Sequence, residues 1–169
     1  MLRGHPATVS VTRCAECGAE MAAASCEEKF ERLLALDHSQ REPWGPLHGV
    51  VVACFLLQHP GHPLAGPGRP GPRLVVLRAF LDGGREGLRA LTAALRRGNS
   101  HRRRGAPSWP AEPELPERPA PTTFGVTIAD VSVDGGFPAA GHEERVRAWA
   151  AATLAALAGE DARRPPGQA

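Results

Sequence analysis

The chain has 169 residues, enough for one domain with a real core, and its formal net charge of +2 gives neither nucleic acid nor an anionic membrane surface a global pull. Apolar residues make up 42%, yet 19 Gly and 17 Pro exceed average usage, so the ordered part is expected to be smaller than the whole. Of the 20 basic residues only Lys29 is a lysine, and tyrosine is absent; such an Arg, Ala, Gly and Pro bias fits a GC-rich genome better than selection for a ligand.

Residues 1–13 read as an N-terminal extension. They lack the apolar stretch of a secretory signal, and no apolar run in the chain approaches membrane-spanning length, so no membrane is expected. A cytoplasmic location follows, where thiols stay reduced.

The first chemistry appears at Cys14-x2-Cys17-x8-Cys26. Zinc takes four soft or borderline ligands in a tetrahedron, and a tight Cys-x2-Cys turn supplies half of them. Gly18, directly after Cys17, fits that turn because it can take a positive φ without a Cβ penalty. One zinc ion per chain is the expectation. Two other readings stand beside it: a redox thiol pair, although no thioredoxin-like strand-then-helix pattern surrounds the motif, and thiols that are simply buried or free. Cys54 lies in an apolar run and reads as a small buried hydrophobe.

Ser25 and Glu28 form a capping box, and Phe30, Leu33, Leu34 and Asp37 follow at helical spacing, which predicts a helix over 26–38 with Cys26 in its first turn. The helix dipole there favours a thiolate, as ligand or as reactive group. A polar loop with Pro43, Trp44, Gly45 and Pro46 leads to a second helix over about 47–58, apolar nearly all round and therefore the central core helix. It stops at Pro60.

Residues 61–73 are Gly/Pro-rich and read as a flexible loop. They hold a literal G-x-G-x-x-G at Gly66, Gly68 and Gly71, but no strand precedes it, and Pro67, Pro70 and Pro72 are expected to forbid the helix N-terminus that would bind a pyrophosphate. Leu74–Leu81 is an apolar run better read as helix than strand, broken at Gly83-Gly84. Leu88, Leu91, Thr92 and Leu95 mark another amphipathic helix ending at Gly98-Asn99.

From 98 to 123 the proline density predicts a flexible connector. Arg102, Arg103 and Arg104 beside His101 read as a solvated charge run, since Trp109 alone offers no stacking platform for nucleic acid. Thr127–Val131 reads as a short extended segment. A last helix is predicted over about 142–158 with Val146, Trp149, Ala150, Thr153, Leu154 and Leu157 on one stripe and Gly159 as the stop, and 159–169 as a disordered tail. Residues 14–158 are thus expected to form a single, mainly α zinc-binding domain with an N-terminal CxxC knuckle and Pro/Gly-rich loops.

Cys14-Ala-Glu-Cys17-Gly18, Ser25-Cys26, Phe30 with Leu33-Leu34-Ala35-Leu36-Asp37, then His48 and Gln58-His59-Pro60 resemble the signature of a bacterial family catalogued as a domain of unknown function. The Val131 segment and Arg147-Ala148-Trp149-Ala150 are similar to that family's ending. The resemblance implies that Cys14, Cys17, Cys26, His48 and His59 stand at motif positions and Cys54 does not. It brings no activity.

The fourth ligand is open between His48 and His59. If the short loop at 39–46 folds the two helices back on each other, Cys26 and His59 meet at one end, while His48 falls near Asp37 and His38 at the other. Two functions remain. One is a binding or regulatory module held by structural zinc, with a protein or small-molecule partner and Trp44, the Gly/Pro loops and the last helix as contact surface. The other is a metal-dependent enzyme using Asp37, His48 and His59 near an open metal site.

Overall fold

The computed structural model describes residues 12–21, 23–66, 70–98 and 121–159. The fold is mainly helical. A two-stranded ribbon, β1 (Thr12–Arg13) and β2 (Glu20–Met21), is followed by α1 (Cys26–His38), α2 (His48–Gln58), α3 (Gly71–Gly98), the short α4 (Ile128–Val131) and α5 (His142–Ala158). Single 3-10 turns at Gly45–Leu47 and Pro63–Ala65 lead into and out of α2.

α1 starts where the capping box requires. The Glu28 backbone N–H donates to Ser25 Oγ, and the Ser25 N–H donates to the Glu28 carboxylate at 2.7 Å. α2 is the hub: Val50, Val51, Ala53, Cys54, Phe55, Leu56 and Leu57 are all buried, and the helix packs against α1, α3 and α5. Its nearly all-round apolar surface leaves water only His48, Gly49 and part of Val52 near its start. Gln58 ends it with a buried amide that donates to the Val126 carbonyl at 2.9 Å and to Thr153 Oγ1 at 3.0 Å, tying α2 to α5. Trp149, Val146 and Ala150 of α5 close the core from the other side.

The apolar run at Leu74–Leu81 and the amphipathic segment at 88–98 are helical and belong to one long element, bent at Gly84, whose backbone stands at φ 57° and ψ −145°. The bend frees carbonyls of the preceding turn, and α5 satisfies them. Arg147 donates to the Leu81 carbonyl at 2.9 Å and to that of Phe80 at 3.3 Å, with its guanidinium 4.8 Å above the Phe80 ring. Gly87 lets the two halves meet, because a Cβ on it would stand 2.1 Å from the Ala79 carbonyl oxygen.

Three sequence expectations need correction. Thr127–Val131 is not extended: Thr127 caps a one-turn helix whose Asp130 carboxylate accepts from the Thr127 backbone N–H at 2.8 Å, a second capping box in the chain. The 61–73 stretch is not loop throughout, since it contains the Pro63–Ala65 turn and the first turn of α3. Pro72 does not forbid a helix N-terminus; it sits in the first turn, where its missing N–H has no partner to lose and its fixed φ suits the helix. The dinucleotide reading still fails, because the segment follows α2 and not a strand. Most of the connector and tail, 99–120 and 160–169, and residues 1–11 lie outside the described residues, whereas Thr12 and Arg13 pair with Met21 and Glu20 in the ribbon.

Candidate metal centre

The CxxC turn is shaped by its own backbone. The Gly18 N–H donates to the Cys14 carbonyl at 2.9 Å, and the Cys14 N–H donates to the Ala19 carbonyl at 2.9 Å, so the loop doubles back at Gly18, whose φ is +77°. The Phe124 N–H then pins the Cys17 carbonyl at 3.2 Å, and the Glu16 carboxylate accepts from the Gly61 N–H at 2.6 Å. These two bonds hold the turn against the chain before α4 and the chain after α2.

Cys26 is the first residue of α1 and His59 follows the last residue of α2. The two helices run antiparallel, so those ends coincide. Cys14, Cys17, Cys26 and His59 come together there, with one ligand atom from each lying within 4.8 Å of all the others. The arrangement could hold a metal ion. A tetrahedral ion with metal–sulfur distances of about 2.3 Å and metal–nitrogen distances of about 2.0–2.1 Å sets its ligand atoms about 3.8 Å apart for two sulfurs and about 3.6 Å for sulfur and nitrogen. Cys17 Sγ and Cys26 Sγ are 3.7 Å apart, and Cys14 Sγ and His59 Nε2 are 3.6 Å apart.

Cys17, Cys26 and His59 are buried and Cys14 is half-buried. The hydrogen bond from Cys26, opposed by burial and aided by His59, brings the Cys17 thiol down to about 4. Cys26, as the donor to that thiolate and itself buried, is driven well above the usual thiol range. Burial works against a charged His59, but its contacts with Cys17 and with the Phe55 carbonyl raise it to about 9. Without an ion the pocket therefore favours the thiolate at Cys17 and holds Cys26 as its thiol partner, whose proton a metal would have to displace.

His59 Nδ1 stands 2.9 Å from the Phe55 carbonyl, an acceptor, so Nδ1 keeps its proton and Nε2 is the nitrogen turned to the cluster, the one that would give up its proton to a bound ion. The imidazole also stacks on the Phe55 ring at 4.1 Å, and Phe30 stacks on the other side of Phe55 at 3.8 Å, nearly parallel. Phe55 was legible in the sequence only as a core residue. The signal that finds its second role is the i, i+4 spacing to a histidine at a helix end. A cleft of about 350 Å³ opens beside the cluster, lined by Cys14, Cys26, Glu16, Glu27, Phe55 and His62 among others. His62 contacts Glu27 at 3.0 Å across it.

His48 does not join the cluster. It begins α2, at the opposite end of the hairpin, with Nδ1 3.3 Å from Asp37 Oδ2 and its ring 5.6 Å from that of His38. Asp37 is fully buried, which raises its carboxyl to about 6 despite the opposing pull of His48. Trp44 is half-buried and donates its indole N–H to the Phe137 carbonyl at 2.9 Å, so it tethers the 39–46 loop. Cys54 is fully buried in the core, as a small apolar residue would be. Among the described residues, no helix is long and apolar enough to cross a membrane.

No curated protein and no solved structure matches the chain. A family model does, over residues 12–158, from the ribbon that carries the knuckle to the end of α5. The chain belongs to that family, DUF5946, a family of unknown function.

Proposed function

We propose that Cys14, Cys17, Cys26 and His59 hold one zinc ion as a structural centre, and that the helical domain built on it is a binding or regulatory module. The observation that carries this reading is closure. Four protein ligand atoms, three of them sulfur, stand within 4.8 Å of one another, enough to fill the shell of a tetrahedral ion, which would then have no position for a reacting water. A donor set of three thiolates and one imidazole suits zinc among the common biological ions. The centre would join the β1–β2 turn to the facing ends of α1 and α2, beside the Phe30–Phe55 stack. The cleft beside it is the natural seat for a protein segment or small molecule.

The alternative, an enzyme using Asp37, His48 and His59 near an open site, asks one ion to reach both ends of α2. Those ends are eleven residues apart, about 16 Å at 1.5 Å per residue. Metal analysis of the purified chain, with X-ray absorption at the zinc edge, tests the proposal. One zinc per chain with three sulfur ligands, one nitrogen ligand and no oxygen supports it. A water oxygen in the coordination shell, or a fully folded chain purified without metal, defeats it.

A further inference from the structure

At the other end of the α1–α2 hairpin lies a second group of metal-ligating side chains: Asp37 and His38 in the last turn of α1, and His48 in the first turn of α2. We propose that Asp37, His48 and His38 form a second, open site for a first-row divalent ion, bound through one carboxylate oxygen and two imidazoles with water completing the shell.

The strongest sign is the state of Asp37. Its side chain is 0% exposed, Oδ2 has one contact with a ring nitrogen, and Oδ1 has no hydrogen-bond partner. A buried carboxylate normally accepts several hydrogen bonds or faces a full charge, because leaving it short is costly. One contact does not account for its burial.

That contact is also long for a hydrogen bond. N–H···O distances centre on about 2.9–3.0 Å, whereas Asp37 Oδ2 and His48 Nδ1 are 3.3 Å apart. For a nitrogen and an oxygen sharing an ion at about 2.0–2.2 Å, the separation is about 3.0 Å at a right angle and about 3.4 Å at the tetrahedral angle. The observed value falls between them. The His38 and His48 ring centroids, 5.6 Å apart, lie close to the roughly 5 Å that two imidazoles take on one tetrahedral ion.

Exposure sets this site apart from the cysteine centre. The His48 side chain is 44% exposed and His38 is exposed, so solvent reaches the ion and can occupy its remaining positions. Among the described residues, only the cysteine set has all its ligand atoms within 4.8 Å; the second site closes when the exposed His38 ring turns on its side-chain torsions. Carboxylate and imidazole donors without sulfur suit zinc, cobalt or nickel over a soft ion. The carbonyl end of α1 favours a cation, and the N-terminus of α2 opposes it, so the helix dipoles nearly cancel.

The test is a titration of the full zinc-loaded chain with Co2+. The expected result is one further equivalent, without the thiolate-to-cobalt charge-transfer absorption that entry into the cysteine centre would produce, and with paramagnetic broadening of the His38 and His48 ring protons. His48→Ala and His38→Ala should each weaken this binding at least 10-fold, and D37N should abolish it, with zinc content unchanged in all three. Should D37N fail to fold, the two histidine variants decide. Absence of a further equivalent at millimolar Co2+, broadening of other histidines instead, or full retention in both histidine variants overturns the proposal. Zinc content at the cysteine centre is measured separately in each sample, so failure here and failure of the structural-zinc reading are told apart.

Discussion

The Phe55 carbonyl accepts twice from His59, from its backbone N–H at 2.9 Å and from ring Nδ1 at 2.9 Å. One oxygen thus ends α2 and selects the tautomer of the residue that follows it. The imidazole cannot rotate without losing its own bond to that oxygen, so Nε2 is aimed before any ion arrives.

The two histidines of α2 should respond differently to removal. His59→Ala and Cys17→Ser are expected to lower zinc content to well under half an equivalent and to destabilise the chain by several kcal/mol, because binding free energy at a structural site is folding free energy. His48→Ala should keep its full equivalent at the cysteine centre. Metal analysis and chemical denaturation of the three variants check this, and zinc loss in His48→Ala with retention in His59→Ala would reverse the assignment.

Phe55→Leu isolates the aromatic contribution. The carbonyl bond to Nδ1 survives, while both ring stacks, with Phe30 and with His59, are lost. The expected cost is about 1–2 kcal/mol in stability. Zinc affinity should fall about 10-fold, as happens when the outer support of a ligand is removed. Competition with a chromophoric chelator measures the second effect.

The bend in α3 depends on contacts that tolerate little change. Gly87→Ala would drive a methyl group into the Ala79 carbonyl, which needs a backbone shift, and should cost more than about 2 kcal/mol. Arg147→Ala leaves the Leu81 and Phe80 carbonyls without their donors and should cost about 1–3 kcal/mol. Arg147→Lys should recover part of the loss, because an ammonium can reach one carbonyl but lacks the fork that serves two. Urea midpoints of the three variants rank them.

Acid should weaken the fold through His142. This residue is fully buried at the start of α5, and burial, with the nearby charge of Arg145, pushes its imidazole down to about 4. The unfolded chain takes up that proton near pH 6.5, before the folded chain does. Stability from this group is therefore complete above about pH 6.5 and declines as pH falls towards 4, by on the order of 2–3 kcal/mol. Asp37, raised to about 6, contributes with the opposite sign over part of the same range, so the wild-type curve alone does not isolate either group. The difference between wild type and His142→Leu does, and it should change steadily between pH 6.5 and 4.5; a flat difference would contradict the assignment.

Local chemistry made much of this legible in the sequence. Ser25 and Glu28 announce α1 at its observed start, and the stripe from Val146 to Thr153 with Gly159 places α5. The meeting of Cys26 with His59 followed from the short loop expected at 39–46, since a connection of that length returns one helix along the other. Other elements were less visible. α4 is a single turn, too short for periodicity, although Thr127 and Asp130 carry the same capping signal as Ser25 and Glu28. Pro72 misled because proline breaks a helix in its interior and starts one at its first turn, and only the position of the start separates the two cases. The ribbon at Thr12–Met21 has two residues per strand and no alternation to read.

Cys14 and His59, brought to 3.6 Å, are 45 positions apart in the chain. An ion shared between them would act as a cross-link that closes a large ring of backbone. Chain statistics for a ring of that size put the lost freedom of the unfolded chain at about 4 kcal/mol, more than a short loop would yield. Cys17 and Cys26 lie inside the ring and divide it into smaller ones, so successive ligands restrict a chain already shortened by the last. The N-terminal ribbon buries little of its own, so with an ion bound that ring would add to the Phe124–Cys17 and Gly61–Glu16 bonds in holding it, and its order is expected to fall when the ion is removed.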